Sequence, residues 1–372
     1  METEVELLRI LVVSLSCRGV MGLAAASFSN AVAANNDTLL LCGEKFPIHE
    51  MKKNSKILNC PIDGQGITEL VKVWLYESTI KDIVKFSPDV IVFFSSHLHN
   101  LILLRWAVKH KIKTVFMFHD PDERTKYSFL SKQYIFDKTM NWHNKLMIKY
   151  VTTVLVTYSD ATILVQQKYK IADDKVEVIP LIPLTELATR EQYPECIEKK
   201  FDIVFYGRVD KYKDYETFFK AIDSIFDKGN EVSILLIIQG NIDMIKKYCS
   251  CSWHPSLTII NDFLPERDFE ALVASAKAAV FPYSGATGSH GPSVAFSLGV
   301  PVIATDVGCF REYIDDFGIG ICVEPKNPLA LAAAIMEILE TTIPAELIQT
   351  KFRGGLQKTK QKLHEVMKPS VS

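Results

Sequence analysis

Short apolar runs alternate with longer amphipathic stretches along almost the whole chain, and this narrows the fold more than any other feature. Segments 10–15, 38–41, 90–94 and 114–118 have the length and apolar content of buried strands. Between them, 22–34, 67–86 and 98–111 carry helical spacing. Further strands are expected at 161–165 and 176–179. Strands that alternate with helices imply a parallel sheet covered on both faces. The pattern then restarts, with strands expected at 202–206, 233–238, 257–260, 278–281, 301–304 and 319–323. In the first helix of this second series, Phe218, Phe219, Ile222, Ile225 and Phe226 fall on one face. The change-over lies in 180–200, where Pro180, Pro183 and Pro194 stand among charges, and the hinge is expected there. The segment from Pro344 onward is basic and helical in pattern. The expected organisation is α/β: two Rossmann-like domains, 1–184 and 185–372, facing each other across a cleft. A C-terminal helix is expected to cross back to the first domain.

The bulk properties agree. The 372 residues are enough for two cores, and 48% hydrophobic with 23% charged residues is an ordinary globular balance. A net charge of −2 excludes a dedicated nucleic-acid binder. The charge is uneven: 1–184 holds 22 Lys and Arg against 19 Asp and Glu, whereas 185–372 holds 20 against 25. Eight cysteines, several in apolar strand-like runs, read as buried thiols of a reducing cytosol. Residues 7–34 resemble a signal peptide in apolar content. However, Glu2, Glu4 and Glu6 precede them, where a signal peptide carries positive charge, and Arg18 and two glycines interrupt them. They read instead as a strand, a glycine loop and a buried helix. No apolar stretch reaches the ~18 residues of a membrane span.

Open parallel sheets bind ligands beyond the carboxyl ends of their strands, so the residues that follow strands carry the functional signal. After the first strand, Gly19 and Gly22 allow a ligand close to the backbone at a helix start. The strand 114–118 runs into His119-Asp120-Pro121-Asp122-Glu123. After 202–206 come Gly207 and Arg208, then Lys213 just before the next helix. A planar guanidinium, a point charge and a helix end together suit a diphosphate. After 278–281 comes Gly285-Ala286-Thr287-Gly288-Ser289-His290-Gly291-Pro292-Ser293, leading into a short helix at 292–298 with Gly291 as the expected cap. On spacing alone, each of these also reads as an ordinary loop. Asp120-x-Asp122 resembles a metal-binding pair of aspartates, but a two-residue match of this kind is common by chance; His97 with His99, and Cys249 with Cys251 and His254, lack the spacings that fix zinc ligands. No metal is expected.

In order and spacing these motifs resemble the retaining glycosyltransferases of family four, the group 1 glycosyltransferases of GT-B fold. The resemblance rests on Gly207-Arg208 with Lys213, the glycine loop 285–291, and Gly299-Val300-Pro301-Val302-Ile303-Ala304-Thr305-Asp306-Val307-Gly308 with Glu312. It spans about 201–339, and more thinly the Gly19 to Gly22 loop and His119-Asp120-Pro121. It implies that Arg208 and Lys213 neutralise a leaving nucleoside diphosphate and that His119 hydrogen-bonds the transferring hexose. Gly19, Val20 and Gly22 would approach the donor phosphate and sugar. Gly207, Gly240, Gly285, Gly288, Ser289, His290, Gly291 and Ser293 would line the donor site. Main chain at Phe263 and Leu264 would meet the base. The family works without a metal or other cofactor, the nucleotide sugar being a co-substrate.

One departure stands out. The family carries two glutamates eight positions apart, and aligned on Gly299-Val300-Pro301 these positions hold Ala286 and Val294. Ser289, His290 or Ser293 would have to replace their hydrogen bonds. Residues 105–149 hold ten Lys and Arg against four acidic residues, with Tyr127, Phe129, Tyr134, Phe136 and Trp142 interleaved. Such a stretch suits an anionic membrane surface, and equally a helix with its aromatics in the core. The resulting expectation is a cytoplasmic hexosyltransferase, peripheral on the inner face of the plasma membrane. It would use a nucleoside-diphosphate sugar (a UDP-sugar favoured) and a saccharide or lipid-linked acceptor, in cell-surface polysaccharide or glycolipid synthesis. The alternatives are a donor-binding-deficient partner of an active transferase and a UDP-sugar epimerase of the same fold.

Overall fold

The computed structural model describes residues 7–15, 19–44, 46–48, 51, 55–60, 73–119, 132–180, 198–248, 255–285 and 289–368. The chain divides into two compact units, 1–184 with 358–372 and 185–357.

The first unit is built in the order β1 (Arg9–Ser14), α1 (Gly19–Ala33), β2 (Asp37–Gly43), β3 (Lys56–Cys60), α2 (Val73–Phe86) and β4 (Val90–Phe93). It continues through α3 (Asn100–Lys109), β5 (Lys113–Met117), α4 (Lys132–Tyr150), β6 (Thr153–Val156), α5 (Ser159–Tyr169) and β7 (Val176–Val178). The strands form one sheet in the order β3-β2-β1-β4-β5-β6-β7, every pair parallel. Its central strands are apolar along their length because both faces are covered. Leu11, Val12, Val13, Ile91, Val92 and Phe116 have no exposed surface.

Two sequence expectations fail in this unit. The run 161–165 is not a strand but the middle of α5. Its β-branched residues suit a pleated surface. Yet only Ala161 and Val165 are buried, four residues apart, while Ile163 and Leu164 are 52% and 40% exposed. That is the burial spacing of a helix. The strand in this region is β6, where Val154, Leu155 and Val156 are fully buried. In addition, α1 begins at Gly19, so Gly19 and Gly22 lie in its first turn and not in a loop before it.

The second unit follows in the order β8 (Phe201–Arg208), α6 (Tyr215–Asp227), β9 (Ile234–Gln239), α7 (Asp243–Lys246), β10 (Leu257–Asn261), α8 (Glu266–Ala274) and β11 (Ala276–Phe281). It closes with α9 (Gly291–Ser297), β12 (Val302–Thr305), α10 (Phe310–Phe317), β13 (Gly320–Val323), α11 (Pro328–Glu340) and α12 (Ala345–Met367). Its sheet is again all parallel, in the order β10-β9-β8-β11-β12-β13. The strand order reverses at β8 and β11, and open α/β sheets bind ligands at such a point. Around it sits an aromatic core of Phe205, Phe218, Phe281, Tyr283 and Phe310 in edge and tilted contacts. α12 belongs to the second unit up to Gln357 and to the first from Lys358. In that last part, Lys362 pairs with Glu177 of β7 at 3.2 Å.

Candidate functional site

In the second unit, the residues singled out in the sequence fall at or just beyond the carboxyl ends of neighbouring strands. Gly207 and Arg208 end β8, and Lys213 closes a single 3-10 turn, Lys211–Lys213, that leads to α6. Gly240 follows β9, Phe263 and Leu264 follow β10, and Gly285, Ser289 and His290 follow β11. Gly291 and Ser293 lie in the first turn of α9. Ala286, Thr287 and Gly288 lie outside the described residues, as do Asp120, Pro121, Asp122, Glu123, Arg124, Lys126, Tyr127 and Phe129. So do Pro183, Pro194, Cys249, Cys251 and His254.

Lys213 is the centre of the arrangement. Its side chain is 5% exposed. The ammonium donates to the Tyr283 hydroxyl at 2.7 Å and to the Tyr206 carbonyl at 3.3 Å. It also lies over the rings of Tyr283 and Phe205, 4.8 and 5.9 Å from their centroids. No carboxylate pairs with it among the described residues. A buried ammonium without a counter-ion is costly. Burial accordingly pushes its pKa down to about 8, with Asp210 opposing the shift and Arg208 adding to it. Gly207 makes room for the ammonium. It has φ +122°, and a Cβ there would stand 2.3 Å from Lys213 Nζ. Arg208, one residue on, is exposed and forms no ion pair among the described residues. Two cations that form no ion pair among the described residues thus flank a glycine at the switch point of the sheet.

Two tyrosines absent from the sequence reading hold this geometry. Tyr206 donates from its hydroxyl to the Gly291 carbonyl at 2.6 Å, tying β8 to the start of α9. Burial raises its pKa, so the hydroxyl stays a donor. Tyr283 is fixed from the other side, because Thr305 Oγ1 donates to its carbonyl at 2.6 Å. Ser284 donates from its backbone N–H to the Tyr212 carbonyl at 2.7 Å, so the segment after β11 is tied to the turn that carries Lys213. Asn261 was also missed: its amide bonds both the N–H and the carbonyl of Gly240 at 3.2 Å. Phe263, by contrast, is 79% exposed.

Gly291 is not the cap of α9. His290 takes that place and Gly291 is the first helical residue. Packing requires the glycine there, since a Cβ on Gly291 would stand 2.6 Å from the Phe281 ring. Ser289 Oγ accepts from the Gly291 N–H at 3.4 Å, and Ser293 is buried. Val294, at one of the two expected glutamate positions, is half-buried on α9.

In the first unit, Gly22 is buried in α1, beside Gly19 and Val20 in the same turn. His119 lies two residues beyond β5. Its Nε2 is 2.7 Å from the Phe94 carbonyl, which can only accept, so Nε2 carries the proton. Its ring meets Phe94 edge-on, centroids 4.8 Å apart. His97 and His99 are buried and stacked on each other at 5.0 Å. Among the described residues, no group of three or more His, Cys, Asp or Glu is placed to hold a metal.

The sequence of residues 190–351 matches the model of the glycosyl transferases group 1, and 62–181 matches that of glycosyltransferase family 4. No curated protein matches. Among solved structures, the chain is similar to a sucrose-phosphate synthase from Thermosynechococcus elongatus (17% identity, TM-score 0.66, 96% of this chain and 98% of that one). It is similar to HepE of Anabaena in complex with UDP-glucose (14% identity, TM-score 0.68, 97% and 99%). It is also similar to WaaG, a glycosyltransferase involved in lipopolysaccharide biosynthesis (13% identity, TM-score 0.62, 97% and 100%). At these identities the likeness is one of fold, and the two parallel-sheet units are those of the GT-B architecture.

Proposed function

We propose that this chain, which belongs to the group 1 glycosyltransferases, moves a hexose from a UDP-sugar to a saccharide or lipid-linked saccharide. The carrying observation is Lys213, buried without a carboxylate over Gly207 and beside Arg208. As the glycosidic bond breaks, the departing diphosphate gains charge. Cations fixed at that place stabilise the transition state more than the ground state. Lys213 supplies a preorganised point charge in a low-dielectric site, and Arg208 a planar fork from the exposed side. In the first unit His119 is assigned to the transferring hexose, and Gly19, Val20 and Gly22 to the donor phosphate. The Phe94 carbonyl holds the imidazole of His119 in one tautomer and orientation. Gly240, Phe263 and Leu264 are assigned to the nucleoside. Gly285, Gly288, Ser289, His290, Gly291 and Ser293 are assigned to the donor sugar and phosphate. Transfer with retention and without a metal follows the family. HepE, a similar fold, has been seen with UDP-glucose bound, which supports a UDP-sugar here.

The acceptor side is read from α4. Ile135, Trp142 and Tyr150 are 45%, 56% and 52% exposed and share the helix with Lys138, Lys145 and Lys149. Ile135, Lys138, Trp142, Lys145 and Lys149 recur at intervals of three and four, so they lie along one face. Exposed aromatics among lysines suit the headgroup region of an anionic membrane. We therefore place the protein on the cytoplasmic face of the plasma membrane, in cell-surface polysaccharide or glycolipid synthesis. Among the described residues no helix is long and apolar enough to cross a membrane.

A second reading, a partner subunit unable to bind a donor, draws on Val294 and Ala286. One experiment separates the two. The purified chain is incubated with labelled UDP- and GDP-sugars and membrane extract, and titrated with UDP and GDP by calorimetry. Transfer or donor hydrolysis with nucleotide binding establishes the transferase. Binding of neither nucleotide leaves the partner reading.

A further inference from the structure

The second unit carries another cavity that the nucleotide reading does not use. Its volume is about 390 Å³, within the range of small-molecule sites, and Lys211, Lys247, Lys326, Asp210, Tyr215 and Ser284 are part of its wall. Lys213 and Arg208 are not. Lys211, Lys247 and Lys326 form no ion pair among the described residues. Two carboxylates in the wall are already committed. Asp214 accepts from the Thr217 N–H at 3.1 Å and from its hydroxyl at 2.7 Å, and Glu216 pairs with Lys220 at 2.7 Å. Asp214 keeps its charge because its donors are neutral, so three lysines face the two carboxylates Asp210 and Asp214, and the N-terminus of the 13-residue helix α6 adds to the small positive excess.

Tyr215 is the independent sign of a ligand. It is 4% exposed and stacks on Phe205 at 4.9 Å, yet its buried hydroxyl has no hydrogen-bond partner among the described residues. Buried hydroxyls are rarely left without a partner. Burial raises its pKa, so the group remains a donor. Asp214 and Lys326, in the same wall, are held at φ 49° and 60°, a left-handed backbone that costs energy in residues with a Cβ.

We propose that this cavity is a second anion site, taking the phosphate monoester of a small sugar or polyol. Lys211, Lys247 and Lys326 hold the phosphate, and Tyr215 and Asp210 hold the hydroxyls. The turn Lys211–Lys213 serves both sites, Lys211 facing this ligand and Lys213 the diphosphate place over Gly207.

The test is calorimetry on the full chain with glucose 6-phosphate, inorganic phosphate and glucose, each with and without saturating UDP. Glucose 6-phosphate should bind, with or without UDP, more tightly than phosphate, and glucose should not bind detectably. The double variant Lys247→Ala, Lys326→Ala should weaken glucose 6-phosphate about tenfold or more while UDP affinity stays within about twofold. Tyr215→Phe should weaken it severalfold, with thermal melting showing each variant folded. The proposal is overturned if no heat appears with the wild-type chain at millimolar ligand. Displacement of the ester by UDP overturns it, and so does binding indifferent to both lysines. Inorganic phosphate binding as tightly as the ester removes the hydroxyl half.

Discussion

At the scale of single residues, Lys213 sets the behaviour of the nucleotide site. Its pKa in the free protein is depressed to about 8, and a bound diphosphate raises it. The complex then holds more protons than the free protein above that pH. UDP affinity should therefore be flat below about pH 8 and fall as pH rises through it, by up to about tenfold per unit. Calorimetry from neutral to alkaline pH checks this, and Lys213→Gln should abolish the slope. The same lysine opposes folding. Its folded-state pKa lies below the ordinary lysine value of about 10.4, so the penalty is full below pH 8 and fades between the two values. Lys213→Met should stabilise the free protein by about 1–3 kcal/mol near neutral pH while removing its stabilisation by UDP. A variant no more stable than wild type would count against the buried, unpaired charge. Arg208→Ala should weaken UDP far more than uridine, and equal losses would refute a phosphate role. Gly207→Ala should cost about 1–3 kcal/mol in a denaturation curve, and UDP affinity besides, because the new methyl displaces the ammonium.

At the scale of elements, helices and strands are legible where one physical signal dominates. β8, β9, β11 and β12 are buried along most of their length and read as plain apolar runs. α5 was misread because Thr162, Ile163 and Val165 favour strands, and only packing revealed that the exposed pair Ile163 and Leu164 faces water. α9 starts one residue earlier than the spacing predicts, and its first residue is a glycine because the Phe281 ring, distant in sequence, fills the space a side chain there would need. Gly291→Ala should therefore cost about 1–3 kcal/mol, whereas Gly354→Ala, inside α12 with open space around it, should stabilise by about 0.5–1 kcal/mol. Paired thermal melts decide it. For α4 the expected outcome lies in lipid binding. Trp142→Ala with Lys145→Glu should reduce sedimentation with anionic vesicles severalfold and leave UDP affinity unchanged. Undiminished sedimentation would return α4 to an ordinary exposed helix.

At the scale of the whole molecule, α12 joins the architecture. Leu363 and Met367, 2% and 1% exposed, complete the first unit from the far end of the chain. Truncation before Lys358 should lower the melting temperature of the first unit, while the second still binds UDP. Loss of UDP binding in a chain whose second unit melts normally would argue against placing the diphosphate there. The sequence by itself determined the alternation of strands and helices, its restart near residue 200, and the residues that follow each strand. These are local facts, set by hydrophobic period and by glycine, and they sufficed to locate Gly207, Arg208 and Lys213. It could not determine what surrounds them. Tyr283 stands 70 residues from Lys213 and reaches it only because β11 pairs with β8. Tyr206 and Tyr215 are ordinary aromatics until the sheet buries one against α9 and leaves the hydroxyl of the other without a hydrogen-bond partner among the described residues. Only tertiary structure decided that Lys213 is a buried cation with no carboxylate paired to it among the described residues, because burial and pairing are properties of the assembled sheet.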